Sequence, residues 1–231
     1  MEQLEIRTTV QGKLMNNLLK NFYEQHHIKG NRLRKTFLEE KRVEIFSAWL
    51  GKNKKVLDVG CRDGTLTKHF IEDNEILGID IDERALKYAS KKHSLKTILI
   101  DLNHKLPFED NSFDAVIMAE VIEHLPYLEI TLSEIARITK PDGLIIGNVP
   151  LAYHLKDRYQ VVRGKALIVA GDSTHLRYFS YDDLIKLLIR HFNDPKEIKV
   201  LKGTKPKFIK WSKKAIKLFA RNVAFLCTNN K

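Results

Sequence analysis

The stretch Val56-Leu57-Asp58-Val59-Gly60-Cys61-Arg62-Asp63-Gly64-Thr65-Leu66-Thr67 constrains the fold more than any other part of the chain. The apolar run ending at Val59 has the composition of a buried strand. Gly60 to Gly64 supply a turn, and Thr65 to Phe70 read as a helix that continues it. A glycine-bearing turn from a strand into a helix N-terminus lets a ligand approach bare backbone, where free amides and the helix dipole favour a carboxylate or phosphate. This is the sequence of a nucleotide-type ligand turn.

The acids around that turn narrow the ligand. Asp58 lies just before Gly60, where a carboxylate opposes a pyrophosphate and suits a ligand with a cationic end. Asp80, in Ile79-Asp80-Ile81-Asp82, lies 20 residues beyond Gly60, a separation at which an acid closing the next strand accepts ribose hydroxyls. Asp82 reads instead as the cap of a helix that starts at Glu83. A third acid, Asp101, follows the third apolar run.

Asp58-x-Gly60-x-x-x-Gly64 followed by Asp80 resembles the first two motifs of the class I S-adenosylmethionine-dependent methyltransferases. Asp101-Leu102, with the later Asp110-Asn111-Ser112-Phe113-Asp114, resembles their third. The strings Asp63-Gly64-Thr65-Leu66, Asp101-Leu102-Asn103 and Thr174-His175-Leu176-Arg177-Tyr178-Phe179 are similar to the MetW-like members and to small-domain enzymes acting on metabolites, lipids and glycan precursors. The likeness covers most of Val56 to His191.

The resemblance implies an α/β, Rossmann-like fold. Its sheet is mixed and seven-stranded, in the order 3-2-1-4-5-7-6 with strand 7 antiparallel, and helices cover both faces. It implies S-adenosylmethionine as cofactor, with S-adenosylhomocysteine as product. The residues it assigns to the cofactor are Asp58, Gly60, Cys61, Arg62, Gly64, Asp80, Ile81, Asp101, Leu102 and Glu120. Arg62 stands where many members have a glycine, so its side chain either points away from the cofactor or contacts the cofactor's carboxylate.

The remaining organisation follows from periodicity. Strands are expected at 54–59, 76–81, 97–100, 113–119, 144–149, 196–201 and 222–228, with helices at 65–72, 83–92, 128–139 and from Ser180 to about His191. Residues 1–50 read as a helical cap segment ahead of a methyltransferase domain at 51–231. Leu33, Phe37, Phe46, Trp49 and Leu50 share one face of that segment, which suits either a cover over the cofactor or simple packing. Residues 150–178 lack periodicity and carry mixed polar and aromatic side chains. They read as a cover on the acceptor side, or as an ordinary surface insertion.

Methyl transfer needs an acceptor atom aligned with a methyl group that the cofactor has already activated. His124, at the carboxyl edge of strand 4, and His175, in the cover, are the candidate general bases. Packing of the helix start by His124, and of the cover by His175, are the plainer roles. Glu120-x-x-Glu123-His124 with a distant His175 is also similar to the set on which small-RNA 2′-O-methyltransferases place a divalent metal. The same string occurs in metal-free members, so no metal ligand is assigned from the sequence.

Composition sets the partners. No apolar run approaches 18 residues and the only cysteines, Cys61 and Cys227, lie far apart, a pattern that fits a reduced cytoplasmic protein, peripheral to a membrane at most. The net charge is +11. Ten of the Lys and Arg residues fall in 196–221 against one acid, Glu197, so the excess belongs to one surface. Within an insertion at 203–221, residues 207–221 read as a helix. Phe208, Ile209, Trp211, Ala215, Ile216, Leu218 and Phe219 lie on one side and lysines on the other, which suits an anionic membrane surface or packing on the domain, and nucleic acid less well. The acceptor expected is a small molecule or a lipid- or glycan-linked precursor, methylated on oxygen or nitrogen. The alternatives are an RNA methyltransferase, or a regulatory domain that binds the cofactor without catalysis.

Overall fold

Val56, Leu57 and Val59 are fully buried, which a strand achieves at the centre of a parallel sheet covered on both faces. In the computed structural model, which describes residues 33–230 together with 21, 22, 25 and 28, this strand is β1 (Lys55–Val59). It pairs in parallel with β2 (Glu75–Asp80) and β4 (Phe113–Ala119). Parallel β3 (Lys96–Leu99) lies outside β2, and parallel β5 (Thr139–Pro150) outside β4. Antiparallel β7 (Ala220–Thr228) then separates β5 from β6 (Glu197–Gly203). The order is β3-β2-β1-β4-β5-β7-β6, as the sequence implied.

Alternation along the strands divides the core between the two faces. Leu57, Val59, Val116, Met118 and Ile145 face one layer, where they pack with Leu132 and Ile135 of α3 (Leu128–Ile138) and Leu184 and Leu188 of α5 (Tyr181–His191). Val56, Ala115, Ile117 and Ile146 face the other, against Phe46 and Leu50 of α1 (Glu39–Leu50) and Leu86 and Ala89 of α2 (Glu83–His93). Asp82 caps α2 by accepting from the Ala85 N–H at 2.9 Å. Ser180 caps α5 by accepting from Asp183 N–H at 3.1 Å.

Several expected elements are shorter than the sequence suggested. The helix at 65–72 is reduced to a 3-10 turn, Thr67–His69. Its β-branched threonines are poor helix formers, the Thr67 hydroxyl is drawn inward, and Asn74 Nδ2 donates to Phe70 O at the turn's end (3.3 Å). Leu33 and Phe37 do not share a helix with Phe46, because α1 begins at Glu39 after Leu38, whose φ is 48°. Most of the 1–50 segment before residue 33 lies outside the described residues. Residues 140–143, between the expected helix and strand, form an irregular start to β5, with a register shift between Phe113 and Ala115.

Residues 150–178 are not wholly irregular. They contain α4 (Leu155–Val162) and a 3-10 turn, Ile168–Gly171. Of the long basic helix expected at 207–221, only α6 (Lys213–Phe219) forms. Ser212 Oγ accepts from the Ala215 N–H at 3.3 Å and starts the helix there, while pairing of β7 claims the chain from Ala220 onward. The predicted single apolar side is thereby divided. Ala215 and Ile216 are buried, whereas Phe208 is 87% exposed in the segment before the helix. Among the described residues no helix is long and apolar enough to cross a membrane.

Candidate functional site

The carboxyl ends of β1, β2 and β4 open onto one cavity of about 590 Å3, within the size range of small-molecule sites. Backbone conformation shapes its floor. Gly60 has φ +71°, and the amides of Gly60 and Cys61 both donate to Ile79 O, at 2.8 and 3.1 Å, tying the turn to β2. Arg62 follows with φ 50° and donates its amide to Asp80 Oδ2 at 2.8 Å.

The Arg62 side chain points away from the floor. Its Nη2 donates to Lys35 O at 2.5 Å, and its Nε donates to Asp63 Oδ1 at 3.3 Å. This places the segment before α1 on the rim, with Lys35, Thr36 and Phe37 bordering the cavity. Asp63 is fully buried and accepts the Arg34 amide at 2.5 Å, so one acid fastens that segment to the turn. The sequence reading overlooked Asp63, although an acid inside a glycine turn was a visible signal.

Each of the three expected acids borders the cavity. Asp58, 4% exposed, accepts from the Thr67 hydroxyl at 2.5 Å. Burial, with Asp80 nearby, pushes its carboxyl up to about 7, against the opposing pull of Thr67 and Arg42. Asp80 accepts the Asp82 amide through Oδ1 at 2.8 Å as well as the Arg62 amide. Asp101 Oδ1 accepts from the amide and the Nδ2 of Asn103, at 2.9 and 2.7 Å. A largely desolvated carboxylate at Asp58 matches a cationic ligand group, which would restore its charge.

Cys61, Ile81 and Leu102 also line the cavity, whereas Gly64 does not. Gly64 is conformational, with φ +70° and a would-be Cβ 3.2 Å from that of Ala89. Burial holds the Cys61 thiol well above its usual range, so it contributes shape and no thiolate.

Glu120 sits at the end of β4 with φ 59°. Its Oε1 accepts from Nδ2 of Asn222 at 2.7 Å and from Nδ2 of Asn148. Behind it lies Arg42, 2% exposed, whose Nη1 donates to Asn148 Oδ1 at 3.4 Å and whose Nη2 donates to the Thr36 hydroxyl. A single cationic residue in an amphipathic pattern carries no signal that it will be buried against a carboxylate from another element.

His124 and His175 meet at the far end of the cavity, their ring centroids 4.9 Å apart. Nδ1 of His124 lies 3.0 Å from Thr174 O, and Nδ1 of His175 lies 3.1 Å from Val169 O. Asp172 and Thr174 join them in the wall, with Asp172 Oδ1 accepting from the Thr174 hydroxyl at 2.6 Å. The loop ending the 150–178 stretch therefore supplies one wall of the site. It is fastened to the 3-10 turn after β4 (Ile122–His124) by the amides of Leu176 and Arg177, which donate to Glu123 O at 2.9 and 3.2 Å.

Comparison with known proteins agrees with this geometry. Residues 57–147 match the family described as "Methyltransferase domain". The chain is 33% identical over 153 residues to a sterol 24-C-methyltransferase from Candida albicans, covering 55% of this chain and 39% of that protein. It is 31% identical over 140 residues to a demethylmenaquinone methyltransferase from Staphylococcus saprophyticus, covering 57% and 54%. The chain thus spans about half, or less, of the curated relatives it matches. A crystal structure of a SAM-dependent methyltransferase from Archaeoglobus fulgidus superposes with a TM-score of 0.63 at 21% identity, over 82% of this chain and 92% of that one. Residues 57–147 are thus similar to the methyltransferase-domain family, and the strand order, with three acids around one cavity, is the Rossmann-like fold of the solved SAM-dependent methyltransferase.

Proposed function

We propose that this chain transfers a methyl group from S-adenosylmethionine to a small-molecule acceptor bound in the same cavity. The observation that carries the reading is the continuity of one cavity from Asp58, Asp80 and Asp101 at one end to His124 and His175 at the other. When bound, the cofactor supplies a methyl group already activated on a sulfonium. Asp58 faces the ammonium end of the donor and Asp80 the ribose, and Asp101 takes the base. Cys61, Ile81 and Leu102 enclose it with apolar contact, and Glu120, held by two asparagines, adds negative charge where the cationic donor lies.

The acceptor belongs at the histidine end. Leu125 and Pro126 provide apolar wall there, and Asp172 and Thr174 provide polar wall. Nδ1 of His124 and of His175 each donates to a backbone carbonyl, which leaves Nε2 as the atom of each ring that can receive a proton from a hydroxyl or amine acceptor. The matched relatives are named for a sterol and for demethylmenaquinone, which supports an acceptor of small-molecule size.

Calorimetric titration with S-adenosylhomocysteine tests the donor half of this reading. One equivalent should bind, and binding should weaken when Asp58 is replaced by Ala. Tight binding of a dinucleotide, with no heat from S-adenosylhomocysteine, would overturn it.

A further inference from the structure

Helix α4 is built inside out. Leu155, Tyr159 and Val162 stand at i, i+4 and i+7, one stripe of a helix wound at about 100° per residue, and they are 50%, 60% and 86% exposed. Asp157 lies on the opposite side and is fully buried, where Nη1 of Arg221 donates to its carboxylate oxygens at 3.4 Å. A helix on a solvated surface ordinarily turns its apolar stripe inward. Here the charged side is anchored and the apolar stripe faces out.

The segment leaving β6 lies beside α4 and also carries exposed aromatic side chains. Gly203 pairs with Ala220, and the Thr204 amide donates to Phe219 O at 2.9 Å. The next residue of β7, Arg221, holds the start of α4, with Nη2 3.3 Å from Nδ1 of His154. Both stretches are thus tied to the first residues of β7. Trp211 is 40% exposed and covers Gly203, its Cη2 2.8 Å from where a Cβ would stand. Phe208 is almost wholly exposed. A depression of about 170 Å3 is lined by Ile168 and Val169, after α4, and by Lys202 and Arg221, and it shares Phe37 and Glu120 with the large cavity.

The charges around these side chains have one sign. Residues 151–171 contain a single acid, the buried Asp157, and residues 198–231 contain none. Lys156 and Arg163 flank the α4 stripe on one side and Arg158 on the other, and all three are exposed. Lys207 and Lys210 are exposed on either side of Phe208 in sequence. Apolar groups bordered by cations match an anionic bilayer, in which apolar side chains enter the acyl boundary while Lys and Arg stay with the headgroups. A second copy of the chain would set cation against cation. Single-stranded nucleic acid stacks on aromatic rings and gives no contact of that kind to Leu155, Val162 and Ile168.

We propose that α4 and residues 203–211 seat this chain on an anionic lipid surface, with Leu155, Tyr159, Val162, Phe208 and Trp211 entering it. The surface does not rest on the methyl-transfer reading. Where that reading holds, an acceptor dissolved in the lipid reaches the cavity from the side of Phe37 and Glu120.

The test is co-sedimentation of the full-length chain with vesicles of phosphatidylcholine alone or mixed with phosphatidylglycerol. The chain should pellet with the anionic vesicles and not with the neutral ones, and rising salt should release it. Trp49 is buried and Trp211 is the only other tryptophan, so a shift of emission to shorter wavelength on the vesicles reports Trp211. Val162→Ser combined with Phe208→Ser should weaken partitioning at least tenfold, and Lys207→Gln combined with Lys210→Gln should do likewise. Ile98→Thr, at an exposed apolar position on β3 at the opposite edge of the sheet, should not. Melting temperatures equal to the parent's without vesicles report that the variants are folded. No pelleting of the intact chain with anionic vesicles, or pelleting unchanged in both double variants, would overturn the surface. Retention on single-stranded RNA with no uptake by vesicles would overturn it too and assign the strip to nucleic acid. Pelleting by a chain that gives no heat with S-adenosylhomocysteine would support the surface and overturn only the methyltransferase reading.

Discussion

The hydroxyl of Thr67 donates to Oδ2 of Asp58 at 2.5 Å, and the two side chains lie on a wall where Thr67 is fully buried and Asp58 is 4% exposed. Thr67 is the main group opposing the effect of burial on this acid, whose carboxyl is nevertheless pushed up to about 7. Near neutral pH the acid is therefore poised between its neutral and charged forms. A ligand ammonium tips it toward the carboxylate.

The pH dependence of cofactor binding follows from that poise. Below about 7 the Asp58 proton must leave when a cationic ligand arrives, so affinity for S-adenosylhomocysteine should fall by up to tenfold per pH unit going down from 7 and level off above it. Folding stability runs the other way. The folded pKa is raised, so the contribution of Asp58 is fully present below its unfolded value and is lost as pH rises through about 7. S-adenosylhomocysteine should therefore raise the melting temperature more at pH 8 than at pH 6. Thr67→Val should move the binding profile to higher pH. Calorimetry across this range checks both, and a flat profile would remove Asp58 from the cofactor site.

The acids of β2 and β3 should differ in kind. Asp80 accepts the amides of Arg62 and Asp82, so Asp80→Ala removes a ligand contact and two anchors of the turn. Its loss should weaken S-adenosylhomocysteine binding about a hundredfold, at roughly 1.5–3 kcal/mol per charged hydrogen bond, and should lower the melting temperature. Asp101 contacts only its chain neighbours among the described contacts, Asn103 through Oδ1 and His104 Nδ1 at 3.4 Å from Oδ2. Asp101→Ala should weaken binding about tenfold with little change in melting temperature. Equal melting shifts in the two variants would contradict this division.

Gly60 is required on two separate grounds. Its φ of +71° disfavours any side chain, and a Cβ there would stand 2.6 Å from Val121 Cγ2. Gly60→Ala should destabilise the protein by about 1–3 kcal/mol through the combined strain and overpacking. Val121→Ala in the same chain should recover the steric part and leave the conformational part, so the double variant should melt between the single variant and the parent. Full recovery would mean that the backbone term is negligible.

How much of this was legible in the sequence depends on the range of the interaction. The strands, the acids at their ends and the cap at Asp82 rest on local patterns, while the strand order came from the family resemblance; the structure has the order and the cap, and it puts the three acids around one cavity. The orientation of Arg62 was open because its partner, Lys35 O, lies 27 residues earlier. The helix at 207–221 was overextended because pairing of β7 with β5 and β6, invisible to helical periodicity, claims Ala220 and Arg221. Glu123 read as one more acid in a common string. Its burial depends on a loop some 50 residues later closing over it, as the contact of His124 with Thr174 shows.

Arg42 and Glu120 give the most demanding prediction, because a buried guanidinium stands behind a half-buried carboxylate at the cavity wall. Arg42 contacts Asn148 and Thr36, and Glu120 is the charge that most favours its ionised form, against the effect of burial. Replacing Arg42 by Met keeps the volume but removes a positive charge that acts on Glu120, which already stands near Glu123, and losing one side of a partly buried charge interaction costs up to about 3–5 kcal/mol. Arg42→Met should thus lower stability to denaturant by an amount in that range. It should also weaken S-adenosylhomocysteine binding, since the Thr36–Phe37 rim loses its anchor. Adding Glu120→Gln removes the carboxylate charge that Arg42 offsets, so the double variant should regain much of the stability, while the rim defect persists in binding. Denaturant melts and calorimetry on the two variants separate these effects, and a double variant no more stable than Arg42→Met would show that the pairing is not what holds this wall.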